Sequence, residues 1–305
     1  MWDAILSPEF FYSILRLTTP ILFATLAATV AAKSGITNMA LEGIMLFSAL
    51  FGVIFSSIFE SAWIGLIITI ALGGLIGYIL AFFVLKLKTD EVIAAIAINL
   101  VAAGGTVLLM LAFSGDRGNS ASITSFQTPR IDLPLIKDIP FIGDVLSNHN
   151  FLTYLSLISV FVLHIVLYKT PLGLKIRAVG ENKDAAESVG ISSQKIKFIA
   201  LIISCALAAI GGFFLSGGYM TKFSTNMSAG RGYIALAASS MGGNTPIGGF
   251  LVSFLFGTAQ ALANAMQLVG FSSEIAQMLP YLVTLIGLGV YSYRLMKKRE
   301  KLSGK

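Results

Sequence analysis

Apolar residues fill the chain in long blocks, and short polar stretches separate one block from the next. A helix that crosses a membrane needs ~20 mostly apolar residues, and nine blocks approach this length. They cover residues 13–32, 36–59, 62–85, 92–113, 151–168, 196–216, 232–247, 249–269 and 276–293. We therefore predict an all-α bundle that crosses a membrane about nine or ten times.

The seventh block is the weakest of the nine. Its sequence, GYIALAASSMGGNTPIGG, holds five glycines and one proline. Such backbone is tolerated at membrane depth only where protein or a water-filled cavity satisfies its polar groups. The block predicts a discontinuous or re-entrant helix.

Composition agrees with this pattern. Of the 305 residues, 56% are hydrophobic and 12% are charged, whereas soluble domains carry roughly 25% charged residues. The net charge of +6 does not indicate a nucleic-acid partner, because the basic residues lie in the loops between apolar blocks. We interpret residues 1–305 as a single transmembrane domain.

The distribution of Lys and Arg predicts which side each loop faces. If the loop KLKTDE is cytoplasmic, fifteen basic residues share its side and six lie on the other. Basic residues favour the cytoplasmic side. This places the N-terminus and the loop of about 114–150 outside, and the C-terminus and the loop of about 169–197 inside. Long loops of this kind are functional or disordered, and both interpretations remain open for 114–150.

Two stretches suggest an internal repeat. SGITNMALEGIMLFSALFG begins at Ser34, and AGRGYIALAASSMGGNTPIGGFLVSFLFG begins at Ala229. Each joins a polar entry containing glycine, an Ala-Leu pair and a run that ends in Leu-Phe-Gly. They start five predicted spans apart, and an odd offset gives the copies opposite orientations, as in the inverted repeats of transporters.

The cytoplasmic loop contains a short helix with its own boundary signals. In VGENKDAAESVGIS, Asn182 suits the N-cap, Asp184 lies in the first turn, and Gly190 suits the C-terminal stop. Two turns are marginal alone in water. The helix must therefore pack on its own bundle or on a partner, and we expect it to do so through a small apolar face formed by Ala185, Ala186 and Val189.

This loop and its surroundings resemble a known family. TPLG, RAVGEN, AAxxxGI and KxxA…SxxLAxxGG occur in that order between Tyr168 and Gly212. The same order is found in bacterial ABC-transporter permeases that serve branched-chain amino acids, ribose-type sugars and nucleosides. The resemblance implies that the short helix is a coupling helix, seated in a groove of the ATP-hydrolysing subunit. The positions that match are Gly180, Glu181, Asn182, Ala185, Ala186, Gly190 and Ile191.

Two further motifs resemble the nucleoside branch of this family, namely ITNMALEGIMLFSA and RGYIALAASSMGGNTPIGG. The resemblance implies a non-enzymatic permease in the bacterial plasma membrane that imports nucleosides. Simple sugars are the alternative, and branched-chain amino acids are a distant third. Met39 and the run MGGNTP depart from the branch pattern and leave the ligand less well defined than the family.

The resemblance also implies partners. They are a second homologous permease, an ABC ATPase that carries ATP and Mg²⁺, and an extracytoplasmic substrate-binding lipoprotein. No GxxxxGK[ST] run occurs in the chain, so ATP must be hydrolysed elsewhere. We expect this chain to bind no cofactor and no metal. If the coupling assignment is right, Ala186→Arg should abolish uptake while the permease stays inserted and folded.

Few residues could carry chemistry inside the apolar blocks. Glu42 is the acidic residue that lies well inside one, and a buried charge costs ~2.5–3.5 kcal/mol on insertion scales. It either faces the substrate pathway or caps the backbone of a broken neighbouring helix. Three amides could contact a substrate or bond helices together, the commoner role: Asn38, Asn99 and Asn264.

With the sidedness predicted above, Arg231 and Tyr233 lie near the outer end of the seventh block. There they could contact the binding protein or serve as interfacial anchors.

Two other classes of protein fit the sequence less well. An ion-coupled carrier needs intramembrane carboxylates, and Glu42 is the only one well inside an apolar block. An intramembrane enzyme needs a cluster of catalytic residues or metal ligands, and none is visible.

Overall fold

The computed structural model describes residues 7–134, 139, 141–268 and 270–303. In this part of the chain the helices are α1 (Pro8–Lys33), α2 (Leu41–Ile58), α3 (Ala62–Ala81), α4 (Glu91–Ser114), α5 (Ile142–Leu146), α6 (Phe151–Lys169), α7 (Pro171–Glu181), α8 (Lys183–Ser188), α9 (Ser193–Phe213), α10 (Arg231–Met241), α11 (Pro246–Leu268) and α12 (Ser273–Ser303). π-Helical turns extend α3 over Phe82–Lys86 and α9 over Phe214–Met220.

Seven of the described helices are long and apolar enough to cross a membrane, namely α1, α2, α3, α4, α6, α9 and α11. Helix α12 adds a shorter apolar stretch, Met278–Tyr293. Helix α10 has 11 residues and is therefore only ~16 Å long. The predicted all-α polytopic fold is confirmed, and the seventh block is a discontinuous helix as its glycines indicate.

Contacts between loops show which helix ends lie together. The Tyr12 hydroxyl of α1 donates to the Asn148 carbonyl at 2.9 Å, so the start of α1 lies beside the loop of 115–150. At the opposite end, Gln194 donates to the Leu85 carbonyl at 3.4 Å. The end of α3 therefore lies beside the loop of 169–197, and the basic residues of these two regions share one side.

The loop after α4 covers the end of the bundle that the charge pattern predicts to be outside, and we call it the outer loop. Within its described residues, strand β1 (Arg130–Ile131) pairs antiparallel with β2 (His149–Asn150). The Ser120 hydroxyl accepts a hydrogen bond from the Phe223 backbone amide at 2.8 Å, which fastens the loop to the segment after α9. This part of the loop is folded against the bundle.

The helices form two inverted sets, α1–α4 and α9–α12. Helix α3 packs on α9, and in the same way α11 packs on α1, while α1 and α9 pack on each other at the centre. Because α1 and α9 run in opposite directions, the sets have opposite orientations. The predicted inverted repeat is confirmed at the level of helix packing. Its residue alignment was wrong, because one Leu-Phe-Gly run lies in α2 and the other in α11.

Small residues allow the central helices to approach closely. A Cβ atom on Gly77 of α3 would lie 2.9 Å from the Leu201 carbonyl oxygen of α9. On the other side, a Cβ atom on Gly257 of α11 would overlap the Thr18 hydroxyl of α1. Close backbone approach at small residues is the usual means of helix packing in membranes. Both inverted sets pack closely in this way at the centre of the bundle, where α2 packs on α9 and α10 packs on α1.

Candidate functional site

Helices α2 and α10 both begin inside the bundle. Residues 34–40 before α2 and 221–230 before α10 are non-helical, and they enter from opposite ends of the molecule. Gly230, directly before α10, has a φ of +77°, a conformation that glycine adopts without strain. A helix that starts away from water leaves four backbone amides to be satisfied by other groups.

The Glu42 carboxylate caps the start of α10. Its Oε1 accepts a hydrogen bond from the Gly230 amide at 2.8 Å, and its Oε2 accepts one from the Gly232 amide at 2.7 Å. Gly232 permits this approach, because a Cβ atom there would overlap the Glu42 backbone. A negative group at a helix N-terminus is also favoured by the helix dipole. Of the two arrangements predicted for Glu42, the structure shows the cap.

Two of the predicted amides support the start of α2. Asn38 is buried; its Oδ1 accepts from the Ala40 amide at 3.2 Å, and its Nδ2 donates to the Ser204 hydroxyl of α9 at 2.9 Å. Asn38 therefore bonds one broken helix to the centre of the bundle.

Asn99 of α4 completes the same region. Its Oδ1 accepts from the Gly43 amide at 2.8 Å, and its Nδ2 donates to the Met39 carbonyl at 2.9 Å and to the Tyr233 hydroxyl at 3.1 Å. We call Asn38, Glu42, Asn99 and residues 230–232 the central junction. Its polar side chains are engaged with protein, and direct contact of Asn38, Glu42 or Asn99 with substrate stays a prediction.

The structure places Asn264 elsewhere. It lies on α11 and lines a cavity of about 350 Å³ together with Gln260 and Gln267. The other walls come from the segment after α9, from the start of α10 and from α12, through Met220, Ser224, Met227, Ala229, Arg231 and Tyr281. We call this space the outer cavity, because Ser224 pairs with Asn119 of the outer loop.

Arg231 contributes to the outer cavity rather than to the outer surface. Its Nη1 donates to the carbonyls of Met227 and Ser228 at 2.9 and 3.1 Å. Its buried Nε has no hydrogen-bond partner among the described residues. Tyr233, 48% exposed, lies beside Asn99 in the junction. Arg231 is thus near the outer end of α10, as predicted, but it is buried in the cavity wall, whereas Tyr233 points to the junction. Contact of either residue with the binding protein stays a prediction.

The loop of 169–197, which the charge pattern predicts to be cytoplasmic, has the local structure that its sequence predicts. We call it the cytoplasmic loop. Helix α8 begins where Asn182 Oδ1 accepts from the Ala185 amide at 3.0 Å. It ends before Gly190, whose φ is +83°. The N-cap and the glycine stop are thus where the motif indicates.

The faces of α8 differ from the prediction. Ala186 is only 4% exposed and packs in an apolar cluster with α1 and α9, and Ile191 packs against the same cluster. Ala185 is exposed, and Val189 is 73% exposed. The three residues therefore do not form one face. Because an arginine at position 186 would enter this apolar cluster, we now expect Ala186→Arg to impair folding as well as uptake.

Gly180 fixes the loop to α1. A Cβ atom on Gly180 would overlap the Lys33 carbonyl oxygen at the end of α1. The side chains of this loop that remain exposed, and so available to a partner, include Glu181, Asn182, Asp184, Ala185 and Val189. The coupling role of the matched positions stays a prediction. Buried Ala186 and Gly180, whose backbone contacts α1, would be the anchors, and the exposed neighbours would be the contacts.

Sequence reasoning missed Gln260, Gln267 and Tyr281 in the outer cavity. One signal was available. Gln260, Asn264 and Gln267 are spaced four and three residues apart in an apolar block, which puts them on one face of a helix.

Comparison with known proteins identifies the family. The family described as "Branched-chain amino acid transport system / permease component" matches residues 10–288. The guanosine ABC transporter permease NupQ of Bacillus subtilis (strain 168) is 30% identical over 88% of this chain and 87% of its own length. The nucleoside ABC transporter permease NupC of Lactococcus lactis is 31% identical over 90% of this chain and 89% of its own.

A third relative carries a different substrate name. The putative glucose ABC transporter permease TsgC13 of Haloferax volcanii is 30% identical over 80% of this chain and 73% of its own length. No solved structure matches the chain. The family match covers nearly all of the spanning helices, and it agrees with the resemblance carried by the cytoplasmic loop. The chain is a multi-pass inner-membrane protein and belongs to the permease family of branched-chain amino acid transport systems.

Proposed function

We propose that this chain is the permease subunit of an importer that moves nucleosides into the cell, driven by ATP hydrolysed on a separate subunit. The observation that carries the proposal is the cytoplasmic loop. Its exposed residues Ala185 and Val189 face away from the bundle, while Ala186 on the same short helix belongs to an apolar cluster to which α1, α6, α7 and α9 contribute. A partner that pushes α8 would therefore act on a cluster that includes both central helices.

The central junction supports transmission of such a movement across the membrane. Helix α9 carries Ser204, the partner of Asn38 before α2. Glu42 at the start of α2 is in turn bonded to the start of α10. Because these bonds connect both broken helices to α9, a shift of α9 would be passed to both inverted sets at once.

The substrate class rests on the relatives and on charge. NupQ and NupC are named for guanosine and nucleosides, which are neutral solutes. In the junction, the carboxylate of Glu42 is used by two backbone amides, so it offers no free charge to a ligand. The name of TsgC13 supports simple sugars as the alternative substrate. All three relatives are named as ABC transporter permeases, which favours neither an ion-coupled carrier nor an intramembrane enzyme.

The proposed complex contains three partners besides this chain. They are a second homologous permease, an ABC ATPase that binds ATP and Mg²⁺, and an extracytoplasmic binding lipoprotein. Lysine and arginine residues flank α8 in the sequence of the cytoplasmic loop. The exposed acids Glu181, at the end of α7, and Asp184, in α8, belong to the same loop. Docking of the ATPase on this loop would engage both signs of charge.

The test is ATPase activity of the complete complex in proteoliposomes. The binding protein is preloaded with a nucleoside or with a pentose, and a matched complex carries an ATPase variant that binds ATP but does not hydrolyse it. We expect stimulation by the nucleoside-loaded protein and uptake only with the active ATPase. Stimulation by the pentose-loaded protein alone would overturn the assignment of nucleosides as the substrate. Uptake without hydrolysis would overturn the ATP-driven mechanism.

A further inference from the structure

We propose that the outer cavity is a subsite that binds the nucleobase of a nucleoside in transit, with Gln260, Asn264 and Gln267 as its hydrogen-bonding wall. The inference rests on the proposed function and adds to it a place and a mode of recognition. It concerns residues at the outer end of the bundle and does not involve the cytoplasmic loop.

The wall consists of three carboxamides in a spanning helix. Polar side chains at membrane depth are costly and usually bond to a neighbouring helix. Within the part of the chain that the structure describes, none of these three side chains forms a hydrogen bond to another residue, and all three line the cavity. Each carboxamide offers one acceptor oxygen and two donor hydrogens. The wall is therefore able to bind a neutral ligand rich in both donors and acceptors.

The inverted repeat supplies an internal comparison. A cleft of the first set, between α2, α3 and α4, has a similar volume of about 340 Å³. Its walls are apolar, with Phe47, Ile76, Leu80, Ala97, Ile98 and Val101 among them. The fold thus builds such a cleft without polar residues. The carboxamides of the outer cavity are an addition that helix packing does not require.

The remaining walls suit a flat heterocycle. Met220, Met227 and Tyr281 provide polarizable and aromatic surface. Arg231 lines the same space. Arginine, asparagine and glutamine are the side chains that pair with the edges of purine bases. The volume of about 350 Å³ lies within the range of roughly 300–1,000 Å³ found for small-molecule sites.

The test uses a cysteine as a reporter of occupancy. Ser224 lines the cavity and is not part of the carboxamide wall, and the native Cys205 is buried. In the complete complex, S224C is labelled from outside with a membrane-impermeant maleimide, with and without free guanosine, uridine or ribose. Ser122→Cys, exposed on the outer loop and not among the residues that line the cavity, is the matched control.

We expect the nucleosides to slow labelling of S224C at least fivefold, while ribose has little effect and S122C is unaffected by any solute. Adding Gln260→Met and Asn264→Leu, which keep side-chain volume, should abolish the protection. Thr258→Val on the same helix should not, because its hydroxyl is bonded to the Phe254 carbonyl at 2.8 Å. In uptake, the double variant should raise KM about fivefold or more, as for one lost hydrogen bond.

Several outcomes would overturn the subsite while leaving nucleoside import intact. One is a complex that imports nucleosides although S224C is labelled equally fast with and without them. Another is S224C that is not labelled while S122C is, which would mean a closed cavity. Equal protection by ribose would replace recognition of the base by recognition of the sugar. If the wild-type complex imports no nucleoside at all, the proposed function itself fails.

Discussion

At the scale of single residues, Glu42 is the side chain on which most depends. Its two oxygens satisfy two amides of α10, and the residues they join are 188 and 190 positions apart in sequence. The cost of a buried carboxylate identified Glu42 as important. The choice between pathway and cap could not be made from sequence, because the amides that it caps belong to backbone rather than to a recognisable side-chain partner.

Removal of this cap should destabilise the permease. Hydrogen bonds to charged groups contribute ~1.5–3 kcal/mol each. Glu42→Ala, which loses both, should lower the free energy of unfolding by several kcal/mol, and Glu42→Gln, which keeps one acceptor, by about half as much. Thermal unfolding of the purified complex measures the change. Glu60→Gln, an exposed acid at the end of α2, is the control, and equal stability of all three variants would contradict the cap.

His149 should make the docking of the outer loop sensitive to pH. Its ring stacks on Tyr12 with centroids 4.0 Å apart, and Nε2 lies 2.9 Å from the Val145 carbonyl. Burial lowers the pKa of His149 below its ordinary 6.5, and the nearby charges of Arg16 and Arg130 lower it further, against the hydrogen bond to Val145, which raises it. The undocked loop therefore takes up a proton first, so docking weakens as pH falls below about 6.5 and is constant above it.

Hydrogen exchange of residues 141–150 at pH 7.5 and 5.5, corrected for the intrinsic rate, should show this loss of protection. In His149→Gln the difference between the two values should disappear. A loss of the same size in that variant would assign the pH response to another group.

At the scale of elements, the short helix α8 shows what local sequence determines. Asn182 and Gly190 set its start and its stop, and both were predictable, because capping depends on neighbouring residues. Which alanine faces the bundle was not predictable, since a helix of six residues takes its contact face from tertiary packing. The same limit applies to α10, whose glycines indicated a break but not the depth of its first residue.

The two alanines of α8 should respond differently to the same substitution. Ala185→Arg places its side chain in solvent and should leave folding intact while uptake and stimulated ATP hydrolysis fall at least tenfold. Ala186→Arg enters the core and should lower the yield of folded protein. Size-exclusion profiles and ATPase assays of the two complexes separate the effects. Normal stimulated hydrolysis with A185R would exclude this face from contact with the ATPase.

At the scale of the whole molecule, the sequence indicated nine blocks, their sidedness and an inverted repeat. It predicted the helices because apolar length alone defines a membrane span. It misaligned the copies, because apolar segments resemble one another by chance and the repeat is one of packing. The outer cavity was not predicted, because its walls come from segments that are distant from one another in the sequence. They are α11, α12, the start of α10 and the segment before it.

The predicted sidedness has a direct test. Ser122→Cys on the outer loop should react with an impermeant maleimide in intact cells, and Ser188→Cys on α8 should react only after permeabilisation. Both serines are exposed, and the native Cys205 is fully buried, so the background is low. Labelling of S188C in intact cells, with S122C protected, would reverse the orientation.

The central junction also determines how the resting protein treats ions. Two helices begin there, and each N-terminus carries roughly half a positive elementary charge. Glu42 brings one carboxylate to the same point, where it contacts the start of α10 from within the first turn of α2. Arg231, the first residue of α10, adds about one positive charge at the same place. The carboxylate therefore does not cancel the sum, and the remaining positive charge disfavours entry of potassium and other cations into the middle of the bundle. A permease with this arrangement resists the cation leak that would dissipate the membrane potential of the cell.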